Sequence, residues 1–137
     1  MVKLDEFVAK VQKRADLGSH EEAARVVNAT LAALGEHLTA GEADDLAAQL
    51  PPEMAQALTQ TSVVSADSFG LDEFFRRVAE YAGIPLTEAS LDARVVIGVL
   101  CESVTMGEIE NVRAQLPEDI RQLFMVENEG DIPEVRQ

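Results

Sequence analysis

The chain contains no tryptophan, one tyrosine and one cysteine, Cys101. A lone cysteine excludes an intrachain disulfide. With no signal-peptide pattern at the start, we expect a reducing, cytoplasmic setting. Cations are scarce: 11 Lys and Arg stand against 25 Asp and Glu, a net charge of −14. That balance argues against nucleic acid as a partner, because such affinity comes mainly from cationic contacts to phosphate. It argues equally against an anionic membrane surface. No apolar run approaches the ~20 residues that a membrane-spanning helix needs. What is present suits a globular domain. Hydrophobic residues make up 47% of 137 positions, enough for a core. A single unit commonly holds ~100–200 residues, so one compact body is expected.

Segments recur along the chain. Leu4-Asp5-Glu6-Phe7 returns as Leu71-Asp72-Glu73-Phe74, 67 positions later. Val11 and Ala15 return at the same offset as Val78 and Ala82. Thr39, Gly41 and Glu42 return as Thr105, Gly107 and Glu108, at an offset of 66. Ala48-Gln49-Leu50-Pro51 returns as Ala114-Gln115-Leu116-Pro117 at that second offset. One residue is therefore lost between the blocks, at the turn Asp16–Ser19 and its counterpart Gly83–Pro85. We read a tandem duplication. The first helical repeat spans 1–60, a connector 61–69, the second repeat 70–125, and an acidic tail 126–137.

Each repeat reads as four helices, giving an all-α fold that forms one compact bundle. Leu4, Phe7, Val8, Val11 and Ala15 follow the i, i+3, i+4, i+7 spacing of an amphipathic helix over about 3–15, which Gly18 ends. Ser19 with Glu22 forms a capping box for a second helix near 20–38, striped by Val27, Leu31, Leu34 and Leu38. Thr39 with Glu42 caps a third helix carrying Leu46 and Leu50. Pro51 or Pro52 suits the first turn of a fourth, with Met54 and Leu58 inside. The second repeat follows suit. Leu71, Phe74, Phe75, Val78 and Ala82 stripe the fifth helix, with Asp67 or Ser68 as its cap. Pro85 and Thr87 open the sixth, Thr105 with Glu108 caps the seventh, and Pro117 opens the eighth. The stretch Val95–Cys101 is rich in β-branched residues. It is assigned to helix because its counterpart has helical period and a lone strand would have no neighbour to pair with.

The order L-D-E-F, T-x-G-E, A-Q-L-P, found twice in a short acidic chain, resembles a prokaryotic family, domain-of-unknown-function family 2267. The run Thr39 to Pro51 carries the resemblance most strongly, and Thr105 to Phe124 carries its second copy. The resemblance covers about residues 2–125. It implies a cytoplasmic, all-helical protein and brings no catalytic residues with it.

The residues with chemical potential each have a plainer reading. His20 and His37 are seventeen apart, whereas a helical metal pair needs i, i+3 or i, i+4. They are expected at solvent or at helix ends. Cys101 sits in the most apolar stretch and is expected as a small core residue, with no local base to activate it. Gly41 and Gly107 lack the further glycines and following lysine of a phosphate loop. They read as part of the capping turn, where a small residue also permits close approach between helices. The pairs Asp5-Glu6, Glu21-Glu22, Asp44-Asp45 and Asp72-Glu73 point about 100° apart on a helix and do not converge. First-turn positions, favoured by the helix dipole, explain most of them. Arg76-Arg77 and the basic run Lys10 to Arg14 read as balancing charge.

No catalytic, cofactor-binding or metal-binding residue is assigned, no cofactor is implied, and no enzyme activity is expected. The expected function is a non-catalytic, acidic helical module that binds a protein partner or itself. The alternative is a small-molecule or lipid carrier, with Phe69, Phe74, Phe75, Met106 and Met125 lining an apolar pocket between the repeats.

Overall fold

The structure, a computed structural model, describes residues 2–61 and 69–125. Eight α-helices follow in order: α1 Leu4–Arg14, α2 His20–Gly35, α3 Ala40–Ala47, α4 Pro52–Gln60, α5 Leu71–Ala82, α6 Leu86–Ser103, α7 Met106–Arg113 and α8 Glu118–Arg121. A 3-10 turn, Gln122–Met125, follows α8. The fold is all-helical, with no β-strand among the described residues. The Val95–Cys101 stretch lies within α6, as expected. Most of the connector at 61–69, including the expected caps Asp67 and Ser68, and the tail at 126–137 lie outside the described residues.

The central bundle consists of α1, α2, α5 and α6, in which α1 and α5 each pack against both α2 and α6. The α4 helix packs on α2 and α3, and α3 meets α7. Apolar spacing dictates this. Phe7, Val8 and Val11 form the buried stripe of α1, and Phe74, Phe75, Val78 and Ala82 that of α5. Both Phe7 and Phe74 are fully buried in one continuous core. The two longest helices are buried over much of their circumference, α2 from Ala23 to Gly35 and α6 from Ala89 to Cys101.

Two helix ends show how the backbone is turned. The α1 helix ends before Gly18, and the left-handed residue is Asp16, at φ 56°. The Leu17 N–H bonds to the Gln12 carbonyl at 2.9 Å and the Asp16 N–H to that of Lys13 at 3.3 Å, the Schellman pattern. Aspartate tolerates this conformation better than most side chains do. Gly83, at φ 70°, plays the same part after α5. The N-cap of α5 is Gly70, which offers no side chain, and Asp119 of α8 accepts the Leu71 N–H at 2.9 Å.

Close helix approach occurs at Gly35 rather than at Gly41 or Gly107. A Cβ on Gly35 would lie 2.1 Å from the Leu58 carbonyl oxygen of α4, whereas Gly41 and Gly107 face open space. The α2 and α4 backbones are thus in contact through a missing side chain.

Phe7→Ala and Phe74→Ala should each cost about 3–5 kcal/mol through lost burial and a residual cavity. Unchanged denaturant midpoints would remove both from the core. Gly35→Ala should also destabilise, although in an open helix the same change gains about 1 kcal/mol. A stabilised Gly35→Ala protein would show that α2 and α4 do not touch there.

Candidate functional site

A groove of about 520 Å³ runs along the outer face of α2 and α4. Its α2 wall is Arg25, Asn28, Ala29 and Ala32, and its α4 wall is Glu53, Gln56, Ala57 and Gln60. Both sets follow i, i+3, i+4, i+7, so each is one stripe of its helix. The alanines leave the floor shallow, while the amides of Asn28, Gln56 and Gln60 and the charges of Arg25 and Glu53 stand exposed on the rim. Contact between the two backbones at Gly35 holds the stripes side by side. Sequence reading followed the apolar stripes of these helices and passed over this second one. Its signal was alanine interleaved with amides at helical spacing.

Tyr81 of α5 borders the groove and is 44% exposed. Its hydroxyl donates a short hydrogen bond to Glu36, just past the end of α2. Partial burial and the Glu36 carboxylate push the Tyr81 pKa up to about 12. Arg77 bonds Glu36 at 2.9 Å and Glu73 at 2.9 Å, and stacks over the Phe69 ring at 3.7 Å. Burial opposes the Arg77 charge, but the bonds to Glu73 and Glu36 outweigh it, so its pKa is raised. Arg76 also bonds Glu73, at 2.6 Å, and the two arginine bonds hold the Glu73 carboxyl below its ordinary value. The Arg76-Arg77 pair is therefore engaged within the fold. On the opposite side, Arg14 of α1 grips Glu102 of α6 at 2.6 and 3.0 Å. Hydrogen bonding to Arg14 lowers the Glu102 pKa.

The T-x-G-E and A-Q-L-P motifs meet where α3 and α7 touch. Thr39 and Thr105 are N-caps, accepting the N–H of Glu42 and Glu108, each at 3.3 Å. In a capping box the glutamate would reach back to the threonine N–H. Here glutamines from the other half take that place. Gln115 accepts the Thr39 N–H at 3.1 Å, and Gln49 accepts the Thr105 N–H at 2.9 Å. The same glutamines donate to the two threonine hydroxyls, at 3.4 and 3.2 Å. The expected boxes are thus half local and half exchanged between the two halves of the chain.

Glu42 and Glu108, released from capping, lie within hydrogen-bonding reach of each other. Glu108 is only 8% exposed, and Oε2 of each is buried with no other donor in reach. Burial first, then Glu108, pushes the Glu42 pKa from 4.5 up to about 8. In this geometry the protonated form of Glu42 is favoured.

The remaining candidates are dispersed. His20 is exposed at the start of α2, 3.8 Å from Asp5. His37 is not at solvent: it is fully buried, 3.8 Å from the Phe69 ring and 6.3 Å from that of Phe74. Cys101 is buried on α6, with Sγ 3.9 Å from the Phe124 carbonyl. Phe74 and Phe75 belong to the core, whereas Met106 is 57% exposed on α7 and Met125 ends the 3-10 turn. Among the described residues, no three His, Cys, Asp or Glu side chains converge as a metal ion requires. No helix among them is long and apolar enough to cross a membrane. Asp5-Glu6, Glu21-Glu22 and Asp72-Glu73 occupy first turns, while Asp44 and Asp45 sit mid-helix on α3.

Thr39→Ala and Thr105→Ala should each cost about 0.5–2 kcal/mol. Hydrogen exchange separates the exchanged bonds from the local ones. Gln115→Ala should expose the Thr39 amide and spare that of Thr105, and Gln49→Ala should do the reverse. Protection unaltered by either glutamine change would break the cross-half link.

No curated protein matches the chain. One family model does, that of the uncharacterized conserved protein (DUF2267), over residues 4–123. The match takes in both copies of the T-x-G-E and A-Q-L-P motifs and every helix described above. The chain belongs to the DUF2267 family.

Proposed function

We propose that the protein is a non-catalytic, acidic interaction module, built of two helical repeats, that binds a segment of a partner protein in the α2–α4 groove. The observation that carries this reading is the pair of facing stripes, Arg25-Asn28-Ala29-Ala32 and Glu53-Gln56-Ala57-Gln60. At about 520 Å³ the groove falls in the ~300–1,000 Å³ range of ligand-binding clefts. Alanine floors admit a chain's bulk. Exposed amides can both donate to and accept from its peptide groups.

Charge supplies selectivity. Residues 1–66 carry five basic and ten acidic side chains, or −5, and residues 67–137 carry six and fifteen, or −9. A partner with basic residues flanking the docked segment is steered toward such a surface, and salt screens that steering beyond about 8 Å.

Ala57→Trp fills the groove, whereas Glu110→Gln alters a distant face of α7. Extract from the native host, passed over the immobilised chain, should yield a partner that is lost with Ala57→Trp and kept with Glu110→Gln. Its association rate should fall as salt rises. A partner that binds Ala57→Trp equally well would sink the groove assignment. A small molecule released from the purified protein on unfolding would replace the module by a carrier.

A further inference from the structure

We infer that a single proton shared by Glu42 and Glu108 latches α3 onto α7, so that docking of the two halves at this contact weakens as pH rises. The inference begins with geometry. The Glu42 and Glu108 side chains come within hydrogen-bonding reach where α3 meets α7, with Oε2 of both buried and no other donor in reach. Two buried carboxylates at hydrogen-bonding distance cannot both be ionised cheaply, and a shared proton turns their repulsion into a bond. Each glutamate is the third residue of its helix, so the positive ends of two helix dipoles flank the pair. That field supports one negative charge and disfavours a divalent cation.

The exchanged caps make the pair a latch. Gln115 and Gln49 bring the starts of α3 and α7 together through Thr39 and Thr105. Loss of the proton places two negative charges between those bonds. The charged groups that bear on Glu42 are Glu108 of α7 and Asp45 of its own helix, both acidic. No cation is among the groups that bear on Glu42.

The direction of the pH effect follows from linkage. The Glu42 pKa is raised on folding from 4.5 to about 8, so the folded state keeps a proton that the unfolded chain releases. The stabilisation is fully present below 4.5 and is lost as pH rises to about 8. In the steep part of this window, one proton changes the unfolding constant by up to about tenfold per pH unit. Asp92, raised mainly by burial, acts in the same direction, so the latch is read as a difference between proteins.

The experiment follows urea unfolding of the wild type, E42Q and E108Q between pH 5 and pH 8. Glutamine supplies a permanent donor to the remaining carboxylate. E42Q should therefore gain stability relative to wild type as pH rises, approaching tenfold in the unfolding constant per unit. E108Q should gain in the same direction but by less, since it removes the share of the Glu42 rise due to Glu108 and leaves the share due to burial, and it stands in if E42Q fails to fold. By NMR, the side-chain amides of Gln49 and Gln115 should shift with a midpoint near pH 8 in wild type, at lower pH in E108Q and not in E42Q. Equal pH slopes in all three proteins would overturn the latch. So would magnesium or calcium stabilising the wild type at pH 8 but not E42Q, which would make the pair a cation site.

Discussion

Helix N-termini must find acceptors for their first amides, and this chain meets that need partly across its two halves. Thr39 and Thr105 satisfy one amide each within their own helices. The amide of each threonine is satisfied by a glutamine about half a chain away. Asp119 does likewise for the start of α5. Because short helices such as α3 and α7 have little intrinsic stability, exchanged caps tie their presence to docking between the halves.

Hydrophobic burial still supplies most of the stabilisation. Phe7, Phe74, Leu31, Leu34, Ile97 and Leu100 are fully buried in one cluster. Burial is non-directional, so it holds helices together without choosing their register. Directional contacts do the choosing. Arg14 fixes α1 against α6 through Glu102, and Arg77 fixes α5 against the end of α2 through Glu36. The exposed Arg14–Glu102 pair adds little energy of its own. Its bidentate geometry nonetheless admits only one alignment of the two helices. Gly35 brings the α2 and α4 backbones together where any side chain would hold them apart.

Two regions of different character result. The α2–α4 groove is open, with an alanine floor and an amide rim, and suits contact with another chain. The α3–α7 contact is closed and acidic, with a buried carboxylate oxygen from each of Glu42 and Glu108. They are linked through α4, which packs on both α2 and α3.

Local patterns were enough to read the helices. Apolar spacing placed α1 and α5, capping residues opened α2, α3 and α7, and prolines opened α4, α6 and α8. Such signals act within one or two turns, so they survive in a linear reading. The groove did not, because its walls are separate stripes that become one feature only when Gly35 brings two helices together. His37 was expected at solvent or at a helix end; it does follow the end of α2, but is buried, because a helix end carries no sign of the rings that will cover it. The motif glutamates read as local caps, and only the folded chain could show otherwise. The sequence by itself determined eight helices and their buried faces, since periodicity and capping are properties of neighbouring residues. Tertiary structure decided that Gln49 and Gln115 cap the opposite halves and that Glu42 meets Glu108, because which distant groups come into reach depends on how the helices pack.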